Sequence, residues 1–392
     1  MYLFRMKNTS SVYTQYLLHG GISVKSAYFN GCNMEVKELH LIFTSKGCKG
    51  NVKEKIENIV KSFDILKKDY FISGELQPIF CRWFLSDSAN QALHIPEAAF
   101  KCATSIIEQP PADGSKIALW IYCLEGVNSQ MLSPNLYATT HGAYQHIWQG
   151  DMTSCDHDSE KATQNILNQY SEKLRNNNCT LSDNCIRTWF FVRDIDINYK
   201  GVITGRNKVF KDQGLKAEKH FISSTGIGGK MEIPDQIVSF NAYAVAGIKP
   251  SQMNFLKAKS HLNPTIEYGV AFERGTTIDY GDRRHVFISG TASIDNKGNI
   301  VSPGDLEKQT LRMWENVEVL LKEAGSDWKD VGYLIVYLRD FSDYDKTASM
   351  FNKRFTEIPT VIVQAPVCRP GWLIEMECMA CLPQHCDQFE PF

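Results

Sequence analysis

The 392-residue sequence predicts an α+β chain of three tandem copies of one unit, each a mixed sheet with helices on one face. Three observations lead there. Short segments recur in the same order. Each copy carries one clearly amphipathic helix. Each copy closes on a strand-like apolar run.

The recurrence is plainest between the second and third copies. Phe191-Val192-Arg193-Asp194 matches Tyr337-Leu338-Arg339-Asp340, and Asn207-Lys208-Val209-Phe210 matches Asn352-Lys353-Arg354-Phe355 at nearly the same offset. Upstream, Ile147-Trp148-Gln149-Gly150 matches Phe287-Ile288-Ser289-Gly290. A fainter copy comes first, with Arg82-Trp83-Phe84-Leu85-Ser86-Asp87 in the corresponding place and Tyr70-Phe71-Ile72-Ser73-Gly74 as a strand-like run before it. The copies close at Lys116 to Leu124, Phe240 to Ala246 and Leu373 to Ala380. The units are drawn at 1–127, 128–250 and 251–392.

The helices follow from spacing. Ile56, Ile59, Val60 and Phe63 fall on one helical face, as do Met313, Val317, Leu320 and Ala324. Ile166, Leu167, Tyr170 and Leu174 do so more loosely. Asp305 and Gly325 supply a start and a stop for the third of these helices. A second helix is expected near Tyr199–Gly214 and near Asp343–Thr356. In the first copy the corresponding stretch, Asn90 to Lys101, contains Pro96, which predicts a shortened or broken helix. That copy is expected to be structural.

Composition narrows the function. The net charge of −2, with no basic block, argues against nucleic acid as a partner. No apolar run is long enough for a membrane span, and the first residues lack a secretory signal. Twelve cysteines scattered through such a chain read as reduced thiols in the cytoplasm. Cys378, Cys381, His385 and Cys386 have spacings that zinc sites use, but Cys378 falls in a strand-like run from Trp372 to Cys381. The expectation is therefore no metal.

From Val286 to Ala380 the chain resembles the Rid (reactive intermediate deaminase) family. The residues that carry the resemblance are Phe287-Ile288-Ser289-Gly290, Gln309, Asn316-Val317, Val336 to Asp340, and Leu373-Ile374-Glu375-Met376-Glu377. Members are usually homotrimers with clefts between subunits, so three fused copies imply a pseudo-trimer within one chain, as a monomer or weak oligomer. Fusion also lets the three clefts diverge. A sharper resemblance, over roughly residues 185–381, is to chorismatases, which are Rid-like fusions. It rests on Ser224-Thr225-Gly226-Ile227-Gly228-Gly229, Ser289-Gly290-Thr291-Ala292-Ser293-Ile294, and Cys368-Arg369-Pro370 followed by Glu375.

This resemblance implies conversion of chorismate, a small dianion, to pyruvate and a ring product. In the 3-hydroxybenzoate branch a Gly and a Cys shape the pocket and a Glu follows the Cys by seven residues. Gly281, Cys368 and Glu375 fit that arrangement. No cofactor is implied. Arg206, Arg354, Arg369 and Tyr243 are candidates for holding two carboxylates. Thr225 and Gly226 would lie on a tight turn lining the cleft, since the segment to Lys230 lacks the spacing of a phosphate loop. Cleaving an enol ether needs a proton on its methylene carbon, and Glu375 is the candidate acid if burial raises its pKa. Strand alternation puts Glu377 on the same face. Cys368, beside Arg369, is a candidate reactive thiol, against the plainer reading of an inert buried residue. Arg369 or Cys368 would stand at the carboxylate-binding position of Rid deaminases. Imine or enamine deamination therefore stays open, as does small-molecule binding without catalysis. Either way the expected working cleft lies between copies two and three.

Overall fold

A computed structural model of the chain describes residues 11–69, 76–97 and 99–392; the strand-like run Tyr70–Gly74 lies outside the described residues. Three six-stranded mixed sheets follow one another. The first contains β1 (Ser11–Leu17), β2 (Ser23–Asn30), β3 (Lys37–Thr44), β4 (Gln77–Leu85), β5 (Ala103–Glu108) and β6 (Ile117–Glu125). The second contains β7 (Asn128–Ser133), β8 (Leu136–His141), β9 (Tyr144–Thr153), β10 (Cys185–Val192), β11 (Ser223–Gly228) and β12 (Val238–Ala246). The third contains β13 (Met253–Leu256), β14 (Gly275–Asp279), β15 (Arg283–Ala292), β16 (Val331–Leu338), β17 (Thr360–Gln364) and β18 (Ile374–Pro383).

All three have one topology. The orders are β1-β2-β3-β6-β4-β5, β11-β10-β12-β9-β8-β7 and β13-β14-β15-β18-β16-β17. In each unit a three-strand meander accepts the last strand, and the fourth and fifth strands pair in parallel. A parallel pair needs a crossover, which the second helix supplies in units two and three.

The helices are α1 (Val52–Asp69), α2 (Ser88–Gln91), α3 (Ser159–Arg175), α4 (Leu181–Asn184), α5 (Ile195–Asp212), α6 (Leu306–Glu323) and α7 (Tyr344–Arg354). The predicted apolar stripes are buried: Ile56 and Ile59 on α1, Ile166, Leu167, Tyr170 and Leu174 on α3, and Met313, Val317 and Leu320 on α6. Asp305 caps α6 by accepting from the Lys308 amide, and Gly325 ends it at φ +72. As Pro96 predicts, the crossover of the first unit is cut down to α2 and a single 3₁₀ turn. None of these helices is long and apolar enough to cross a membrane.

The sheets have two different faces. On β6, Ile117, Leu119, Ile121 and Cys123 pack under α1, while Ala118, Trp120, Tyr122 and Leu124 point into a core shared by all three units. That central core is aromatic, with Trp120, Trp148, Trp189, Tyr243, Phe287 and Tyr333 drawn from all three. The units meet cyclically, making the chain an intramolecular pseudo-trimer. Bridges tie Glu108 to Lys230, Ile227 to Val367, and Pro111 to Val363.

One sequence match shifts. Trp148 lies opposite Tyr243, and Phe287 lies opposite Met379, the equivalent residue of the next unit. Trp148, not Ile147, is therefore the counterpart of Phe287. A bulge follows in both strands, and Asp151 becomes the counterpart of Gly290.

Candidate functional site

Between units two and three lies a cavity of about 150 Å³. It is framed by α5, β11, β15, β18 and the loop before β18. Glu375, Cys368, Arg369, Arg206 and Gly226 line it, as the sequence suggests. The same wall carries Arg274, Ser224 and Trp372. Past Tyr199, Ile203 and Cys368 the cavity opens into a wider trough along α5.

Glu375 is the carboxyl group that lines this cavity. It is 5% exposed, and among the described residues its carboxyl group makes no hydrogen bond. Burial raises its pKa to about 8, with the negative charge of Glu377 adding to the rise and Arg187 and Arg274 opposing it. The group is therefore a carboxylic acid at neutral pH. The folded chain keeps this proton between about 4.5 and about 8, where the unfolded chain releases it. Stability is thus expected to fall as pH rises through that window, with the contribution complete below it. Denaturant midpoints of the parent and of Glu375→Gln across this range check the sign, since the variant should lack the slope.

The two glutamates share a face but not a role. Glu377, fully buried, takes a 2.8 Å ion pair from Arg187 and a 2.8 Å hydrogen bond from Trp189 Nε1. Thr225 Oγ1 also donates to it, and Arg82 lies 3.6 Å away. Arg82 is itself wedged between the rings of Phe80, Trp120, Trp189 and Phe191. Glu377 is thus a junction at the centre of the chain, and its charge bears on Glu375 from behind.

Gly290 makes the room that Glu375 occupies. A Cβ at that position would collide with the Glu375 carboxyl oxygen. The far end of a glutamate can yield, so Gly290→Ala is expected to fold with a melting temperature within a few degrees of the parent. Its carboxyl would be displaced, and activity should fall at least about tenfold, since small displacements of catalytic groups cost that much. Thermal melts alongside turnover separate the two effects.

Cys368 corrects an expectation. Arg369 and Arg206 favour a thiolate, but burial outweighs them and, with Glu375, pushes the thiol up to about 12. The side chain is a protonated wall residue in hydrogen-bonding contact with Tyr199.

Other candidates lie elsewhere. Tyr243 pairs with His146 at 2.8 Å and stacks on Trp148 in the central core. Its strand places it four residues from the glutamate position. Gly281 sits in the β14–β15 turn, where its amide donates to the Glu390 carbonyl and a Cβ would meet the C-terminal segment. Arg354 forms a 2.9 Å pair with Glu318 and lies over Trp314 on the outer surface. The residue equivalent to Arg206 on α7 is Phe351, at the offset that aligns Asn207 with Asn352. Thr225 turns inward to Glu377, and its segment is strand β11, not a turn. Gly226 and Gly228 admit Tyr199 and Pro366 as close neighbours.

Tyr199 and Arg274 are among the lining residues that were not foreseen. Tyr199 opens onto the cavity from the first half of α5; its recurrence as Tyr344 was the available signal. Arg274, buried before β14 and bonded to Asn263, carried no local signal at all.

The other clefts lack the acid. The ladder positions equivalent to Glu375, which lies opposite Tyr337, are Ser239 opposite Phe191 and Ala118 opposite Phe84. Between units one and two, Asp151 is engaged by Ser105, Ser239 and the Ile106 amide.

Among the described residues, Glu38, His285 and Cys381 form the one group of potential metal ligands. Glu38 there already accepts from Arg283 at 2.7 Å and Tyr122 at 2.6 Å. Cys378 and Cys381 lie on β18, as the strand reading has it, and all twelve cysteines are free thiols.

Residues 277–382 match the family model described as endoribonuclease L-PSP. A RutC family protein of Pyrococcus abyssi is 35% identical over 97 residues, 24% of this chain and 76% of that protein. The 3-aminoacrylate deaminase RutC of Acinetobacter baylyi is 31% identical over 97 residues, 24% of this chain and 77% of that protein. Among solved structures, a chorismatase superposes with a TM-score of 0.61 at 17% identity, covering 78% of this chain and 93% of that one. At that identity the likeness concerns the fold.

Proposed function

The chain belongs to the Rid (RutC, endoribonuclease L-PSP) family through its third unit, and from that premise we propose that its cleft between units two and three cleaves the enolpyruvyl ether of chorismate. The products are pyruvate and a hydroxybenzoate, taken here as 3-hydroxybenzoate, and the two together contain all the atoms of chorismate.

One observation carries the reading. A buried carboxylic acid, protonated up to about pH 8, faces a cavity lined by Arg206, Arg274 and Arg369. The arginines suit two carboxylates, and the acid suits the methylene carbon that must be protonated. Proton transfer from Glu375 makes an oxocarbenium ion in a site walled by Trp372 and Phe272, where stray water is scarce. The hydroxyl on the neighbouring ring carbon then attacks the ring carbon that bears the ether and returns its proton to Glu375; that carbon's bond to the ether oxygen breaks, and the oxygen leaves as the keto oxygen of pyruvate. The bridging oxygen left on the ring opens at its original carbon as the other carbon gives up its proton to it, which yields the hydroxybenzoate. With Gly281 outside the cleft, the choice of ring product rests on Cys368. Its protonated thiol, beside Glu375 and Tyr199, serves as a proton carrier or as a wall. Twelve free thiols suit the cytoplasm.

A second reading, imine or enamine deamination, is favoured by the 31% identity to a 3-aminoacrylate deaminase. It asks the same acid to protonate a similar carbon. Purified protein incubated with chorismate, with pyruvate followed and the ring product identified, tests the first reading; chorismate unchanged after hours would sink it. Ammonia release from dehydroamino acids would favour the second. Turnover is expected to decline as pH rises through about 8, where Glu375 loses its proton.

A further inference from the structure

The cleft between units three and one holds a cavity of about 160 Å³, matched in size and position to the one that contains Glu375. Equivalent elements build it: α7 along its length, β17, and β2 and β3 of the first unit. Tyr344 stands where Tyr199 stands. The differences are chemical. Phe351 replaces Arg206, and Ala118 holds the ladder position of Glu375. An acid and an arginine are gone, and apolar surface from Ile42, Phe351 and Val361 remains.

Lys25 and Asp113 line this space with opposite charges, beside Ser23, Thr44, Asn352 and Thr360. Lys25 is partly buried on β2, and its ammonium donates to the Thr356 carbonyl at 2.8 Å. An ammonium has further donors to offer. Asp113 is fixed by its loop: the Ala112 amide donates to the Ile362 carbonyl, the Gln364 amide to the Pro110 carbonyl, and the Ser115 amide to the Asp113 carboxylate. Other charges nearby are Glu357, which acts on Lys25, and Lys46 and Asp345, which act on Tyr344, Lys46 lying 5.5 Å from its ring centre. Of these charges, Lys25 and Asp113 are the two that line the cavity. The cleft between units one and two differs, because there the Asn135 side chain bridges the Thr104 amide and carbonyl.

We propose that the cleft between units three and one binds a free α-amino acid with an apolar side chain, without chemistry. Lys25 takes the carboxylate, Asp113 takes the ammonium, and Ile42, Phe351 and Val361 cover the side chain. The site stands whether or not the cleft of Glu375 acts on chorismate.

Calorimetric titration tests it with L-phenylalanine, 3-phenylpropanoate and 2-phenylethylamine as probes. The amino acid should bind, and each analogue lacking one charged group should bind at least about tenfold more weakly, as expected for a lost charge-assisted hydrogen bond. Lys25→Ala and Asp113→Asn should each weaken L-phenylalanine by a similar factor. Glu375→Gln should leave its affinity unchanged. Asp113→Asn keeps the Lys25–Thr356 contact, so it remains informative if Lys25→Ala folds poorly. No heat with L-phenylalanine, equal affinity for 3-phenylpropanoate, indifference to Asp113→Asn, or loss of binding in Glu375→Gln would each overturn the assignment.

Discussion

Glu375→Gln is expected to lower pyruvate release from chorismate by about 10²–10⁴-fold, the range a positioned general acid contributes. Glutamine keeps the size of the side chain and its place over Gly290, but it has no carboxylic proton to give. Because the native group is neutral at pH 7, the exchange does not remove a charge from the cavity. Substrate binding should therefore change little, and the loss should appear in kcat more than in KM. Steady-state kinetics with a pyruvate assay separate the two. A variant that keeps more than about a tenth of the parent rate would move the acid to another residue.

Arg187→Met is expected to destabilise the fold by about 3–5 kcal/mol, the cost of leaving a buried charge without its partner. Glu377 would keep Trp189 and Thr225 but only the more distant Arg82 as a cation. Exchanging both members, Arg187→Met with Glu377→Met, should recover only part of that loss, because the buried pair is gone but buried Arg82 then lacks the carboxylate 3.6 Å from it. Chemical denaturation of both variants gives the comparison. The double variant removes both the Glu377 charge that raises Glu375 and the Arg187 charge that opposes it; Glu377 is the larger influence, so the decline in activity should move only slightly to lower pH.

Much of the architecture is legible in the sequence because burial is periodic. The stripes on α1, α3 and α6 and the alternation on β6 arise from single elements facing single layers. The site is less legible because its walls come from two units. Glu375, Cys368, Arg369 and Arg206 were reachable through the repeat and the family resemblance. Arg274 was not, since nothing near it in the chain indicates that it faces α5. Tyr243 and Arg354 fit the chemistry required, but composition does not tell which face a side chain takes. The Tyr243 side chain is spent on His146, and the Arg354 side chain on Glu318. The bulge in β9 and β15 is a further limit. An extra residue moves a match by one position, which decides whether Gly290 is compared with Gly150 or with Asp151.

The bridge from Ile227 to Val367 and the bidentate pair of Arg339 with Asp196, at 2.9 Å for each contact, join the two walls of the Glu375 cleft across the unit boundary. A site shared by separate subunits comes apart when the protein is diluted. Here both walls belong to one chain, so each meets the other at a local concentration fixed by the connecting segment and not by the amount of protein in solution. Turnover per molecule should then stay constant down to nanomolar protein, where a trimer assembled from free subunits would fade.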